Sequence, residues 1–375
     1  MELEDRGNIV NEIFHGKYVF EELLGSSSFS EIYLIRHVFL DDLRVLKIIK
    51  KHLNSDFNLI LSEAKTACKL KHENIIDIYD AGIVPAGVDE KYGFVYFVME
   101  YIPGGDLSKY IVSFVNSNML IPIYWTLYLI KHISLALSFM HLSNPPIVHG
   151  DIKASNILLS FNSQDRIVVK LSDFGFSRQI NSNFADFGIV GTRQFMAPEC
   201  FRNEFYPSTD IYALGVIFYI LLTNHFPYDI NKFSMVEISE GKPWRMPLMP
   251  PSSYNDKISS KLDNIVMKCL DINYKDRFLD ANELLDVIEK FIDSYYLDEE
   301  SYIINNTVKK AFRLALYENN LDEAIDILKD SDMVTILEEV ISLDSIEDLS
   351  FSKTVHVESL SEIMKNKKNK KEEIL

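Results

Sequence analysis

Apolar and polar positions divide this chain into two differently patterned parts. From Tyr18 to about Tyr101, short apolar runs such as "IYLIRHVFL", "RVLKIIK" and "GFVYFVMEYI" are rich in Val, Ile, Tyr and Phe and predict strands. One segment among them, "NLILSEAKTACKL", repeats its apolar residues at three and four and predicts a helix. After "PGGDL" the period changes. "IPIYWTLYLIKHISLALSFMHL" predicts a long amphipathic helix, and most of the chain to about Ile292 reads as helices with intervening loops. The uninterrupted run "YALGVIFYILL", residues 212–222, is too short to span a bilayer and reads as a buried central helix. The expected architecture is α+β and bilobal, with a small β-rich unit over residues 17–101 and a larger, mainly α unit over 102–292. Residues 1–16 form an N-terminal extension.

Beyond residue 293 the character shifts again. "VKKAFRLALYENNLDEAIDILKDS" has the spacing of a helical hairpin and is vaguely similar to one tetratricopeptide unit. A single unit of that kind cannot bury its own face, so residues 293–355 are expected to form a helical appendage packed on the larger lobe or on a partner. The final "KNKKNKKEEIL" is a charge run without periodicity, and residues 356–375 read as a disordered tail.

Composition narrows the partners. Of the 375 residues 47% are apolar, ample for a large core, and the formal charge is -17. Nucleic acid and anionic membranes attract basic surfaces, so neither is an expected partner, and no membrane span is expected. The start, "MELEDRGNIVNEIF", lacks the basic-then-apolar layout of a signal peptide, and a cytoplasmic location is expected. Cys68, Cys200 and Cys269 spell neither a disulfide framework nor a zinc site.

The chemistry concentrates in "VHGDIKASNILLS", residues 148–160, where Asp151, Lys153 and Asn156 stand in an otherwise apolar run. Phosphotransferases use that spacing to hold a nucleophile, a phosphate and a metal. Other segments fall in order around it. "LGSSSFSEIYL" is a tight polar turn between strands, Lys47 lies on the next strand, and Glu63 on the following helix ahead of "LKHENII". Downstream come "LSDFGFS", "GTRQFMAPE", "STDIYALGV" and "DINYKDRF". Over about residues 17–292 the chain resembles the eukaryotic-type serine/threonine protein kinases.

That resemblance implies a bilobal kinase fold, Mg²⁺ (with Mn²⁺ as the alternative) and ATP as phosphate donor, and protein substrates with Ser or Thr acceptors. Lys47 would meet the α- and β-phosphates and be held by pairing with Glu63. Asn156 and Asp173 would be the metal ligands, Asp151 the base for the substrate hydroxyl, and Lys153 the cation on the γ-phosphate. The hinge would offer backbone groups of Glu100 and Ile102 to adenine, with Met99 guarding the back pocket. Val45 and Leu158 complete the nucleotide-binding set, and Asp106 would bond the ribose. His149 would pack in the core, Glu199 and Arg277 would form a buried brace, and Asp210 would anchor the catalytic loop.

Two departures stand out. Family members carry G-x-G-x-x-G over the phosphates. Here only Gly25 is glycine, with Ser27 and Ser30 in the other two positions, while Phe29 and Ile32 retain the apolar cover. Gly150 replaces the usual Arg, which implies a "non-RD" kinase whose activity need not wait for activation-loop phosphorylation. Ser177, Ser182 and Thr192 are still possible acceptors, and Thr192 would position substrate and Asp151. Two other readings compete. A pseudokinase scaffold has the serine loop in its favour, and Lys47, Glu63, Asp151, Asn156 and Asp173 against it. Small-molecule phosphotransferases share His-Gly-Asp but generally lack "APE", the Thr of "GTRQF" and the later Arg, all present here.

Overall fold

A computed structural model describes residues 14, 16–27, 30–49, 68–84, 94–116, 120–161, 167–173, 178–179 and 193–295. The expectations for Phe29, Glu63, Ser177, Ser182, Thr192 and the stretches 1–13 and 296–375 lie outside the described residues.

The small lobe is an antiparallel sheet of β1 (Tyr18–Ser26), β2 (Ser30–His37), β3 (Asp42–Ile49), β4 (Ile78–Val84) and β5 (Phe94–Glu100), in the order β1-β2-β3-β5-β4. These are the β-branched and aromatic runs of the sequence, and period-two alternation sends one set of side chains inward. Tyr18, Tyr33, Ile35, Leu46, Ile48 and Val98 pack there with Phe14 as a separate core. Register shifts in β1, between Phe20 and Glu22 and between Leu23 and Gly25, bend the strand that leads into the serine turn.

The larger lobe holds α1 (Leu107–Asn116), α2 (Ile123–His141), α3 (Pro207–Thr223), α4 (Met235–Ser239), α5 (Ser260–Cys269) and α6 (Ala281–Tyr295). Helix α3 is the expected central helix: every residue from Ser208 to Thr223 is buried. Its Gly215 is a close-approach position, because a Cβ there would sit 2.7 Å from the Cβ of Cys269 on α5. Asn224 ends the helix in a left-handed conformation at φ 59°.

Two expectations change. Helix α2 lacks a narrow amphipathic stripe, since 12 of its 19 residues are buried as it packs between α3 and α6. By length and composition alone it is apolar enough to cross a bilayer. Within the fold it is a core helix of the larger lobe, with buried Thr126, Ser134, Ser138 and His141. The stretch between α2 and α3, read as mainly helical, instead contains paired strands. These are β6 (Ile147–Val148) with β9 (Arg178–Gln179), and β7 (Ile157–Phe161) with β8 (Ile167–Leu171). Their β-branched residues favour strands over a helix, and at two to five residues they are too short for periodicity to reveal.

Candidate active site

The β7–β8 hairpin sets the geometry of the site. Ile157 pairs with Leu171, so Asn156 and Ser172 face each other just beyond the ladder. Ser172 donates both its N–H (2.8 Å) and its hydroxyl (3.0 Å) to the Asn156 carbonyl. Asp173 follows with φ at +64°, a left-handed conformation that L-residues adopt at a cost of about 1–2 kcal/mol. Strain of this kind concentrates at functional sites.

The catalytic loop is hung from α3. Asp210, in the first turn, accepts from His149 N–H and Gly150 N–H, each at 2.8 Å. His141 Nδ1 accepts from Ala281 N–H at 3.1 Å, which makes Nε2 the donor to Asp210 at 2.9 Å. Gly150 has φ at +76°, freely available to glycine alone. His149 is fully buried; its Nδ1 accepts from Asp151 N–H and its Nε2 meets the Ser172 carbonyl. Burial pushes its pKa below the usual range, and a neutral ring fits both bonds. It is a core residue, as expected.

Asp151 is buried. Its Oδ2 accepts from Lys153 Nζ at 2.7 Å and from Asn156 Nδ2 at 3.1 Å. Burial raises its pKa, and the Lys153 cation opposes that rise without cancelling it. Across the cleft, Lys47 Nζ donates to Asp173 Oδ1 at 2.5 Å. Desolvation alone would raise the Asp173 carboxyl; Lys47 first, then Lys153, overcomes it and holds the group at about 2. The sequence assigned Lys47 to Glu63. Among the described residues its carboxylate partner is Asp173.

Sheet register gathers the remaining predicted positions. Val45 pairs with Met99, Ile32 with Lys47, and Gly25 with Ile32. Below the hinge, Asp106 bridges to Leu158, and Ile102 is buried against the larger lobe's core. Asp106 also has a duty the sequence did not suggest. Its buried carboxylate accepts from Ser108 N–H at 3.0 Å and from the Ser108 hydroxyl at the start of α1. Ser27 and Ser30, in the family's glycine positions, clasp one another. Ser27 N–H donates to the Ser30 carbonyl at 2.8 Å, and Ser30 N–H to Ser27 Oγ at 3.0 Å. Glu199 and Arg277 form the expected brace, two parallel bonds at 2.7 and 2.9 Å with both side chains buried.

The donor set suits a hard divalent cation. Asn156 spends its amide nitrogen on Asp151, leaving Oδ1 to present, and Asp173 engages Lys47 through Oδ1, leaving Oδ2. No group of three or more His, Cys, Asp and Glu that could hold a metal occurs among the described residues. Two oxygen donors match an ion that keeps its waters and phosphate ligands.

The protein kinase domain family model matches residues 18–292. This chain belongs to the protein kinase family. Members of this family use ATP and a divalent metal. The chain is 26% identical over 302 residues to a probable serine/threonine-protein kinase of Clostridium acetobutylicum, covering 78% of this chain and 43% of that protein. It is 32% identical over 274 residues to serine/threonine-protein kinase ULK1 of Homo sapiens (70% and 24%). It is 30% identical over 278 residues to serine/threonine-protein kinase PknB of Mycobacterium tuberculosis (72% and 42%). The chain thus spans less than half the length of these relatives. His141, Ser172 and the hydrogen-bonding roles of Ser27 and Ser30 escaped the sequence reading. Their partners are distant, or their importance depends on backbone geometry that no motif spells.

Proposed function

We propose that this chain is a serine/threonine protein kinase that transfers the γ-phosphoryl group of Mg·ATP to protein hydroxyls. The observation that carries this reading is the cluster of Asp151, Lys153, Asn156 and Asp173 in the larger lobe, with Lys47 of the small lobe reaching across to bond Asp173. Asn156 and Asp173 would hold Mg²⁺, which neutralises phosphate charge when bound. Asp151 accepts the proton of the substrate hydroxyl as that oxygen bonds the γ-phosphorus and the β–γ bridging bond breaks to release ADP. Lys153 holds Asp151 oriented and stands ready to meet the γ-phosphate. Lys47 brings a cation to the other phosphates. Gly150 places no cation beside Asp151, so activity need not wait for a phosphate on the activation loop. The extension over residues 293–355 serves as a targeting or regulatory appendage, and the acidic chain acts in the cytoplasm.

The test is transfer of labelled γ-phosphate from Mg·ATP onto the protein itself and onto casein. Asp151→Asn is expected to lower transfer by about 10²–10⁴-fold. Wild-type protein that binds Mg·ATP without moving label would overturn the reading and favour a scaffold, with the Ser27–Ser30 clasp as its cause. Transfer only to small hydroxyl compounds would favour a small-molecule kinase.

A further inference from the structure

Lys170 on β8 is buried, an unusual position for a lysine unless it is paired, and the chemistry above does not use it. Its Nζ meets the Glu100 carboxylate at 2.9 Å and the Ile75 carbonyl at 3.4 Å. Glu100 is the last residue of β5, where the small lobe passes into the hinge, and the family resemblance implies only a backbone role for it. Its side chain also accepts from Asp77 N–H at 3.2 Å, while Glu100 N–H donates to the Asp77 carbonyl at 2.9 Å.

The surroundings show what this pair joins. Leu171 N–H donates to the Asn74 carbonyl, Ile76 N–H to the Leu171 carbonyl, and Asn74 Nδ2 to the Val169 carbonyl. The segment leading into β4 is thereby laid along β8 of the larger lobe like an extra strand. Lys170 stands where both of these passages between the lobes, the 74–77 segment and the hinge, come together. Backbone bonds fix the first passage to β8. The Lys170–Glu100 ion pair ties the end of β5 to that same strand.

We infer that Lys170 is a positioning residue for nucleotide: through Glu100 it holds the hinge backbone in the register that meets the adenine ring. The inference rests on the nucleotide-binding reading above. Preorganisation of this kind acts on affinity and leaves the phosphoryl-transfer step unchanged, because the catalytic loop hangs from Asp210 and from backbone pairing of β7 with β8, and none of these bonds uses the Lys170 side chain.

The test uses the full chain, measuring the Kd for Mg·ATP by calorimetry together with KM and kcat. Lys170→Met and Glu100→Gln are each expected to raise Kd and KM for ATP about tenfold, with kcat changed less than twofold. The double variant is expected to be no worse than the weaker single one, and Lys170→Arg to restore binding to within about threefold. Unchanged ATP affinity alongside a lowered Tm would make the pair a structural brace only and overturn the inference, as would losses that simply add. Should Lys170→Met fail to fold, Glu100→Gln and Lys170→Arg carry the same comparison. Wild-type protein that binds ATP but transfers nothing defeats the kinase reading while the Kd series still decides on Lys170. Wild-type protein that binds no ATP defeats both.

Discussion

Asp151 and Asp173 are two carboxylates with opposite environments, and their pH behaviour separates accordingly. Burial raises Asp151, so the base form is lost at a higher pH than for an exposed aspartate. The acid limb of kcat/KM is therefore expected above the usual carboxylate range, and Lys153→Met is expected to move it higher still. For stability the signs oppose. Asp173 sits at about 2 when folded against an ordinary 3.8, so its contribution is present above about pH 4 and lost as pH falls towards 2. Asp151 binds its proton more tightly folded than unfolded, so its ionisation weakens the fold as pH rises past 3.8. Asp151→Asn is accordingly expected to raise Tm at pH 7 while lowering transfer by about 10²–10⁴-fold, a pairing that thermal denaturation and the transfer assay check together. The identities of these residues were legible because their spacing is a motif. Their protonation energetics were not, since they depend on burial in the fold and, for Asp173, on Lys47 from a distant part of the chain. Gly150 shows the same limit: the sequence marks a missing Arg, and the structure adds a backbone angle that glycine adopts without strain.

At the scale of elements, α3 organises the larger lobe. Its Asp210 fixes the catalytic loop, and Thr209 beside it donates to Glu199, the partner of Arg277. Arg277 also donates to the carbonyls of Asp271 and Ser208, so this one guanidinium joins three segments. Arg277→Met would leave Glu199 buried without its cation. A loss of about 3–5 kcal/mol in urea denaturation is expected, with part recovered by the double variant Arg277→Met/Glu199→Met. The run "YALGVIFYILL" announced α3 because its apolar residues leave no polar face. The sheet of the small lobe was legible from its β-branched runs. The β7–β8 hairpin was not, because five-residue strands carry too little periodicity and their pairing is fixed by tertiary contact. Yet that hairpin is what brings Asn156 to Ser172 and places Asp173.

At the scale of the whole molecule, the main cores of the two lobes are unequal among the described residues. The small one joins side chains of β1, β2, β3 and β5 with Phe14. The large one runs through α1, α2, α3, α5 and α6, and extends into the small lobe to take in Leu70, Ile75, Ile76 and Ile78. Stability follows buried apolar area, so the amides of β1–β3 are expected to exchange with solvent hydrogen before those of α3, and saturating Mg·ATP to narrow the difference. Hydrogen exchange with and without nucleotide checks this; equal protection of the two regions in its absence would count against it. The suspension of the catalytic loop from Asp210 then acquires a further meaning. Heating that opens the small lobe switches the enzyme off without erasing the arrangement around Asp151, because that arrangement is stored in the last part to melt. Inactivation by mild heat should therefore be recoverable on cooling, up to the temperature at which α3 itself lets go.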